Sequence, residues 1–491
     1  MLQNNFTNDL AISANGTFKF ATSIATGATY NVTVRSQPSG SPPQACMVSA
    51  GSGTIGTAPV TNVAVTCQAV AATALYGTYA YVTSQNTGSV SVVNTTTSAM
   101  TRSVQVGASP AGVAVTPDGA VAYVTNSAAN SVTVIDTFTN SVITTIGVGS
   151  NPQGVTVSPA GTFAYVANKD SNTVSVINTS TNAVTATISL GSGTGPVDVA
   201  VGTSGARLYV ANSTNNRVAV INTSNNTVLT TIVVGTTPRG LAISPNGANV
   251  YVACMGSEVT VIDTASNAVS AHIAMGAGEA PSAVAITPSG IAAYVTKYYT
   301  NDVAVINTPS RSVAATVKGL GSLPTSVAIT ADGTAAYVAN QNSHTLSAIS
   351  TTSNTVTATI GVGESPSAVA IAAVAPFNFG GFVSPVGAPP TVYTFNAGST
   401  LSVKFSLNGV QRLSIFASGY PKSQTIACDT LLPAGAVESP ATPGSSDLSY
   451  DAGADVYSYA WRTDKSWSNT CRQLIVRFSD LIDHVAYFKL K

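Results

Sequence analysis

Charge is the scarcest property of this 491-residue chain: Asp, Glu, Lys and Arg make up 8% of it, against roughly 25% in an ordinary soluble protein. The 19 basic and 19 acidic residues cancel and form no block. A nucleic-acid surface, which draws its affinity from clustered positive charge, is therefore not expected. Histidine is rarer still, three in all (His272, His344 and His484), and no H-x-x-x-H or C-x-x-C spacing offers a zinc site. No apolar run approaches the ~20 residues of a spanning helix, so no transmembrane segment is expected. The start, MLQNNFTNDL, lacks a basic segment ahead of an apolar one. Nor is there a G-x-S-x-G elbow, a Walker loop or a dinucleotide fingerprint, so no catalytic motif is visible.

What is present is a repeat. Y-V-T/A-x recurs at Tyr81, Tyr123, Tyr165, Tyr209, Tyr251, Tyr294 and Tyr337, a period of 42–44 residues. A second phrase follows each one, as in SVTVIDT (131–137) and TVSVINT (173–179). A third, of the type P-x-G-V-A-V, begins at Pro110, Pro152, Pro196, Pro238, Pro281, Pro324 and Pro366. Each period holds four runs rich in Val, Ile, Thr and Tyr, separated by Gly, Pro, Asn and Asp, with no competing helical periodicity. Four strands per 40–45 residues is the pattern of a propeller blade. The first YVTS has no P-x-G-V-A-V strand before it, whereas the last repeat has one too many, SPSAVAIAAV (365–374). That surplus strand predicts an all-β, seven-bladed propeller closed by its C-terminal strand, which removes the open edges of the array.

The recurring Y-V-T/A-N followed by S/T-V-x-V-I-D/N-T resembles the YVTN family of seven-bladed propellers over residues 76–374. The resemblance implies a secreted or surface protein, and some relatives resemble lactonases of the same shape. Residues 1–68 resemble a small β module of bacterial surface proteins, here starting after its first strand. Residues 376–491, with GSTLSVKFSLNG and TCRQLIVRF, resemble the PxKF domain of exported proteins, although Ser402 stands where the family has its naming proline. Alternation in both flanks predicts small sandwich-like folds.

The five cysteines divide among these segments. Cys46 with Cys67 and Cys428 with Cys471 would each form a disulfide within a small flank; buried free thiols are the alternative. Cys254 replaces the Asn of YVAN in the fifth blade and has no histidine nearby to activate it. The uncharged, Thr/Asn/Gly-rich composition and these pairings predict a secreted or cell-surface bacterial protein whose leader is absent from this chain.

With the strands of a blade named A (P-x-G-V-A-V), B (YVTN), C (SVTVID) and D (the run ending in G-V-G), the D–A and B–C loops share one face of the disc. Lys169, Asp170, Asp198, Arg217, Arg239, Glu258, Glu279, Lys297, Asp302 and Glu364 map to it. Asp198 stands where other blades have Gly112, Gly154 and Gly240, while Gln153 and Arg239 fill the variable site after the repeat proline. KYYTND (297–302) replaces a small polar loop, and His344 joins the same face. Departures that the fold does not need are where a site is grafted, so Gln153, Asp198, Arg239, Lys297, Tyr298, Tyr299 and His344 are the expected ligand-binding residues. In the C-terminal flank, Asp447, Asp451 and Asp455 could bind Ca²⁺, although solvated turn carboxylates explain them as well. No other cofactor is expected. Tyr457, Tyr459 and Trp461 share one strand face, as a sugar-stacking stripe or one side of a core. The expected function is a non-catalytic binding or adhesion propeller that recognises a polysaccharide or a surface or matrix protein. The alternatives are a lactonase-like metal-dependent hydrolase and a self-associating structural layer.

Overall fold

The structure, a computed structural model, describes residues 77–374 throughout and discontinuous stretches of 2–69 and 381–491. Within 77–374 the chain forms seven four-stranded antiparallel sheets. Blades 2 to 7 each run A–B–C–D in chain order, over 110–147, 152–189, 196–233, 238–274, 281–317 and 324–361. Blade 1 takes strands B (Gly77–Ser84), C (Ser89–Asn94) and D (Ala99–Gln105) from its start and strand A (Pro366–Val374) from the far end of the array. The surplus strand thus closes the ring, as its sequence position requires.

Strands B and C are buried on both faces because each blade packs between two others. Their sequences accordingly read as near-continuous apolar runs, not alternating ones. Adjacent blades share their cores: Tyr123, Val132, Val134 and Ile146 of blade 2 meet Val155, Ala164, Val166 and Ile177 of blade 3. The outer D strands alternate or are largely exposed, as in Thr227–Val233.

The repeated letters have separate mechanical roles. In blades 1, 2, 6 and 7 the tyrosine carries its hydroxyl into the C–D turn of the next blade. Tyr81 donates to the Thr137 carbonyl (3.0 Å) and Asn140 Oδ1 (2.7 Å), and Tyr337 of blade 7 reaches the Thr95 carbonyl of blade 1 (3.1 Å) across the seam. The threonine of YVT, where present, satisfies the irregular start of strand A. Thr83, Thr125 and Thr296 accept from the N–H groups of Ala368, Gly112 and Ala283 at 2.8–2.9 Å. The asparagine ties the incoming D–A loop to its own C strand: Asn126 accepts from Gly107 N–H (3.0 Å) and donates to Thr133 (2.9 Å). The final threonine of the C phrase ties to the A–B turn, Thr179 to the Gly161 carbonyl (2.6 Å) and Thr223 to Gly205 (2.6 Å). Gly119 in the first such turn has φ +73°, and a Cβ there would collide with the Ala373 carbonyl of the closing strand.

In the N-terminal stretch, Leu2–Asn4, Asn8–Leu10, Thr29–Val34 and Ser52–Thr54 share a sheet, and Gln44–Ser49 pairs with Ala64–Ala69. That pairing sets Cys46 directly opposite Cys67. The chain from 374 onward forms a separate compact unit. In it a four-stranded and a five-stranded sheet enclose one apolar core that includes Leu401, Phe405, Trp461, Leu474 and Phe488. Tyr457, Tyr459 and Trp461 all point into that core, so the stripe packs the sandwich and offers no face to a sugar. Cys428 and Cys471 are disulfide-bonded. Asp447 and Asp455 lie outside the described residues; Asp451 is exposed and accepts from Ala454 N–H (3.2 Å). No helix among the described residues is long and apolar enough to cross a membrane.

Candidate ligand funnel

The seven A strands surround the axis, and their first residues build it in rings. The residue after each proline forms an outer ring, Ala111, Gln153, Val197, Arg239, Ser282, Thr325 and Ser367. The next residue forms an inner ring, Gly112, Gly154, Asp198, Gly240, Ala283, Ser326 and Ala368. Gln85, Tyr298 and Gln341, each the first residue after a B strand, complete the mouth of a funnel of about 260 Å³.

The inner ring is small because neighbouring A strands nearly touch. A Cβ on Gly112 would strike the Gln153 carbonyl, and one on Gly240 would lie 2.7 Å from Ala283 Cα. Where the ring carries a polar side chain, that side chain clamps the next blade. Ser326 accepts from Val369 N–H at 3.2 Å. Asp198 makes the equivalent bond, its Oδ2 accepting from Leu241 N–H at 2.7 Å while its Oδ1 accepts from Val199 N–H at 2.9 Å. Both carboxylate oxygens therefore have structural partners. Asp198 still touches the water of the funnel, but protein surrounds it closely. Burial pushes its carboxyl up to about 7, outweighing the two backbone N–H bonds that favour the anion.

The charged residues expected on this face separate into two groups. Most are consumed locally. Lys297 is almost fully buried and pairs with both Glu279 (3.0 Å) and Asp302 (2.9 Å). Those two bonds offset its desolvation and hold its ammonium above the ordinary lysine range. It stitches the D–A loop of blade 5 to blade 6 and is not presented to a ligand. Glu258 is engaged by His272 (2.8 Å) and Thr260 (2.8 Å), and Asp170 by Asn151 (3.1 Å). His344 has φ +56° at a turn position that is Asn130, Asn172, Asn216 and Asn301 in other blades. Asn301 Oδ1 accepts from Leu323 N–H (2.8 Å), and His344 Nδ1 does the same for Ser365 N–H (2.9 Å). The imidazole thus acts as a loop acceptor between blades 7 and 1. Burial lowers its pKa, against an opposing pull from Glu364. Tyr299 is exposed and stands edge-on to Tyr298, with ring centroids 5.2 Å apart, outside the funnel wall.

The second group is open. Arg239 is exposed in the funnel, and its guanidinium has no ion pair or hydrogen bond to any described residue. Gln153 donates to Asn151 Oδ1 (2.5 Å), which leaves its side-chain Oε1 without a donor among the described residues. Across the mouth, Tyr298 donates to Gln341 Oε1 (3.1 Å) and Gln341 donates to Gln85 Oε1 (3.3 Å), which joins blades 6, 7 and 1 in one relay. Of the seven residues expected to bind ligand, the structure brings Gln153, Asp198, Arg239 and Tyr298 together in the funnel; Lys297, Tyr299 and His344 lie elsewhere. Gln85 and Gln341 were not expected. Their signal was available, since both occupy the repeat position of Tyr298. Among the described residues no three His, Cys, Asp or Glu side chains converge as a metal cage. Cys254 is buried, with its thiol pushed up to about 11 by desolvation.

Sheets and funnel together define a seven-bladed propeller with a polar axial pocket. Residues 43–377 match the YNCE-like beta-propeller family model, and the chain belongs to that family. Among solved structures it is similar to Kuenenia stuttgartiensis hydrazine synthase, at 26% identity over 55% of this chain and 92% of that one, with a TM-score of 0.51. A functionally unknown protein from Desulfotomaculum acetoxidans DSM 771 shares the fold at 18% identity, over 60% of this chain and 98% of that one, with a TM-score of 0.54. No curated protein matches the chain.

Proposed function

We propose that this propeller is an exported recognition protein that binds a polysaccharide or a surface or matrix protein through the mouth of its axial funnel, on the D–A/B–C face. The observation that carries the reading is Arg239, an unpaired guanidinium in a concave polar site, on a face where Lys297, Glu279 and Asp302 pair among themselves and His272 holds Glu258. A protein this sparing with charge that leaves one cation open in its central pocket has kept it for something other than the fold. The Cys428–Cys471 disulfide supports an oxidising compartment, and hence export. We read the flanks as the YVTN-associated module and PxKF-like domain that accompany such propellers at bacterial surfaces.

One observation favours a hydrolase instead: Asp198, with its carboxyl near 7, is poised for proton transfer. Yet Asp198 is the only carboxylate lining the funnel, and both its oxygens are held by backbone N–H groups. Recognition without chemistry is the better fit. The test is a binding screen of the full chain against surface polysaccharides and matrix proteins, with and without EDTA, beside Arg239→Ala and Gln153→Ala. A bound partner lost in both variants supports the funnel; partners retained by both variants would overturn it.

A further inference from the structure

The funnel is polar on two arcs that meet between blades 5 and 6 and are parted by an apolar gap at blade 2. Blades 3, 4 and 5 contribute Gln153, Asp198 and Arg239; blades 6, 7 and 1 contribute the Tyr298–Gln341–Gln85 relay; blade 2 contributes only Ala111, Gly112 and Val113. Each arc calls for a different chemical group. An exposed guanidinium without a carboxylate partner is a fork for a planar anion, which a carboxylate matches with two parallel bonds. Along the relay, each acceptor oxygen already holds a donor, and the Gln85 amide nitrogen at its end has no acceptor among the described residues. An amide that can both donate and accept matches hydroxyl groups, not a second charge. The cavity, at about 260 Å³, lies just below the usual range of ligand pockets, roughly 300–1,000 Å³, which favours a single ring over a length of polymer.

Resting on the reading of the funnel as the recognition site, we propose that its ligand is a sugar acid, one monosaccharide unit bearing a carboxylate and several hydroxyls, either free or at the end of an acidic polysaccharide. Arg239 pairs with the carboxylate, and Gln85, Gln341 and Gln153 take the hydroxyls. The inner ring limits depth, because Gly112, Gly154 and Gly240 already stand against the neighbouring blades. Among the described residues, Asp198 is the one carboxyl in the funnel lining. Of the titratable groups that face it across the funnel, Arg239 comes from blade 5 and Tyr298 from blade 6, and the lining of the other blades has none. A bound carboxylate therefore meets a more protonated Asp198 at pH 6 than at pH 8, and it binds more tightly at the lower pH.

The experiment is calorimetric titration of the full chain with D-glucuronate, D-glucose, sodium acetate and a glucuronate tetrasaccharide, at pH 6 and pH 8. D-glucuronate is expected to bind at least tenfold more tightly than glucose or acetate, and severalfold more tightly at pH 6 than at pH 8. Arg239→Gln is expected to cost at least tenfold in glucuronate and nothing in glucose. Gln341→Ala is expected to weaken both sugars. A tetrasaccharide that equals or exceeds the monosaccharide marks a chain end as the ligand; one tenfold weaker marks the free sugar acid. Equal affinity for glucose and glucuronate would overturn the acid-specific assignment but leave the funnel as the site, provided Gln341→Ala still weakens both. Acetate as tight as glucuronate would also overturn it, by showing a simple anion hole. No affinity for any of the four would overturn the sugar-acid proposal alone, because the polymer and protein screen tests the funnel independently.

Discussion

Replacing Asp198 by Ser tests whether a carboxylate in the inner ring is held against its own solvation. Ser326 shows that serine can make the same inter-blade bond, so Asp198→Ser removes the charge and keeps an acceptor for Leu241 N–H. In the unfolded chain this carboxyl titrates near its ordinary 3.8, and in the folded chain near 7. Because the folded value is raised, the native state holds the extra proton between those limits. The contribution of this group to stability is greatest below pH 4, falls as pH rises through that window and levels off above 7. Between pH 5 and pH 7 the fall spans two units at no more than about 1.4 kcal/mol each, and water in the funnel reduces it to about 1–2 kcal/mol. All other groups titrate identically in the two proteins, so the difference isolates Asp198. Chemical denaturation of the propeller transition at pH 5, 6, 7 and 8 should show wild type losing this amount relative to the variant. A difference that stays constant over the series would refute the reasoning, because it would mean that the carboxyl is hydrated and ionised throughout.

His344→Asn should leave stability at pH 7.5 within about 0.5 kcal/mol, since asparagine fills the equivalent turn position in four other blades. Because burial depresses the folded imidazole pKa, wild type should lose stability as pH falls below about 6.5, where protonated Nδ1 can no longer accept from Ser365 N–H, and the variant should not. Thermal melts at pH 7.5 and 5.5 check both statements. Tyr337→Phe removes one hydrogen bond at the seam and should cost about 0.5–1.5 kcal/mol in denaturant unfolding. Reduction of Cys428–Cys471, whose cysteines are 43 residues apart, should destabilise the C-terminal unit by about 4 kcal/mol and leave the propeller transition unmoved, as read by calorimetry with and without a phosphine reductant.

The blades were legible in the sequence because each is a local object. Strand, turn and strand lie within one period, and punctuation by Gly, Asn and Asp marks every boundary. Closure was legible too, since it needs only a count of phrases at the two ends. The site was half legible. Departures from the repeat were read as grafted function, and of these Gln153, Arg239 and Tyr298 lie in the funnel lining. Lys297, Glu279 and Asp302 are departures as well, but they answer one another: three changes in two adjacent loops cancel as a buried ion triad. Such compensation is visible only once the loops are folded together. His344 departs in letter and not in role, because an imidazole nitrogen can replace an amide oxygen as acceptor. Gln85 and Gln341 escaped notice because they looked like ordinary polar loop residues, and only their shared distance from the axis sets them apart.

The seam in blade 1 also fixes how the ring responds to tension. Thr83, near the end of its B strand, accepts from Ala368 N–H, near the start of strand A, so the two strands run antiparallel and the chain enters and leaves the ring side by side. They form a hairpin that has lost its turn. Force drawn through the chain on either side of the ring would load this pair at its open end, where bonds break in succession instead of sharing the load in shear. Blade 1 would yield first and leave six intact blades strung on an opened crescent. A ring closed this way has one seam where a pull along the chain meets the bonds one at a time, while every other pair of neighbouring strands within a blade is joined by a turn.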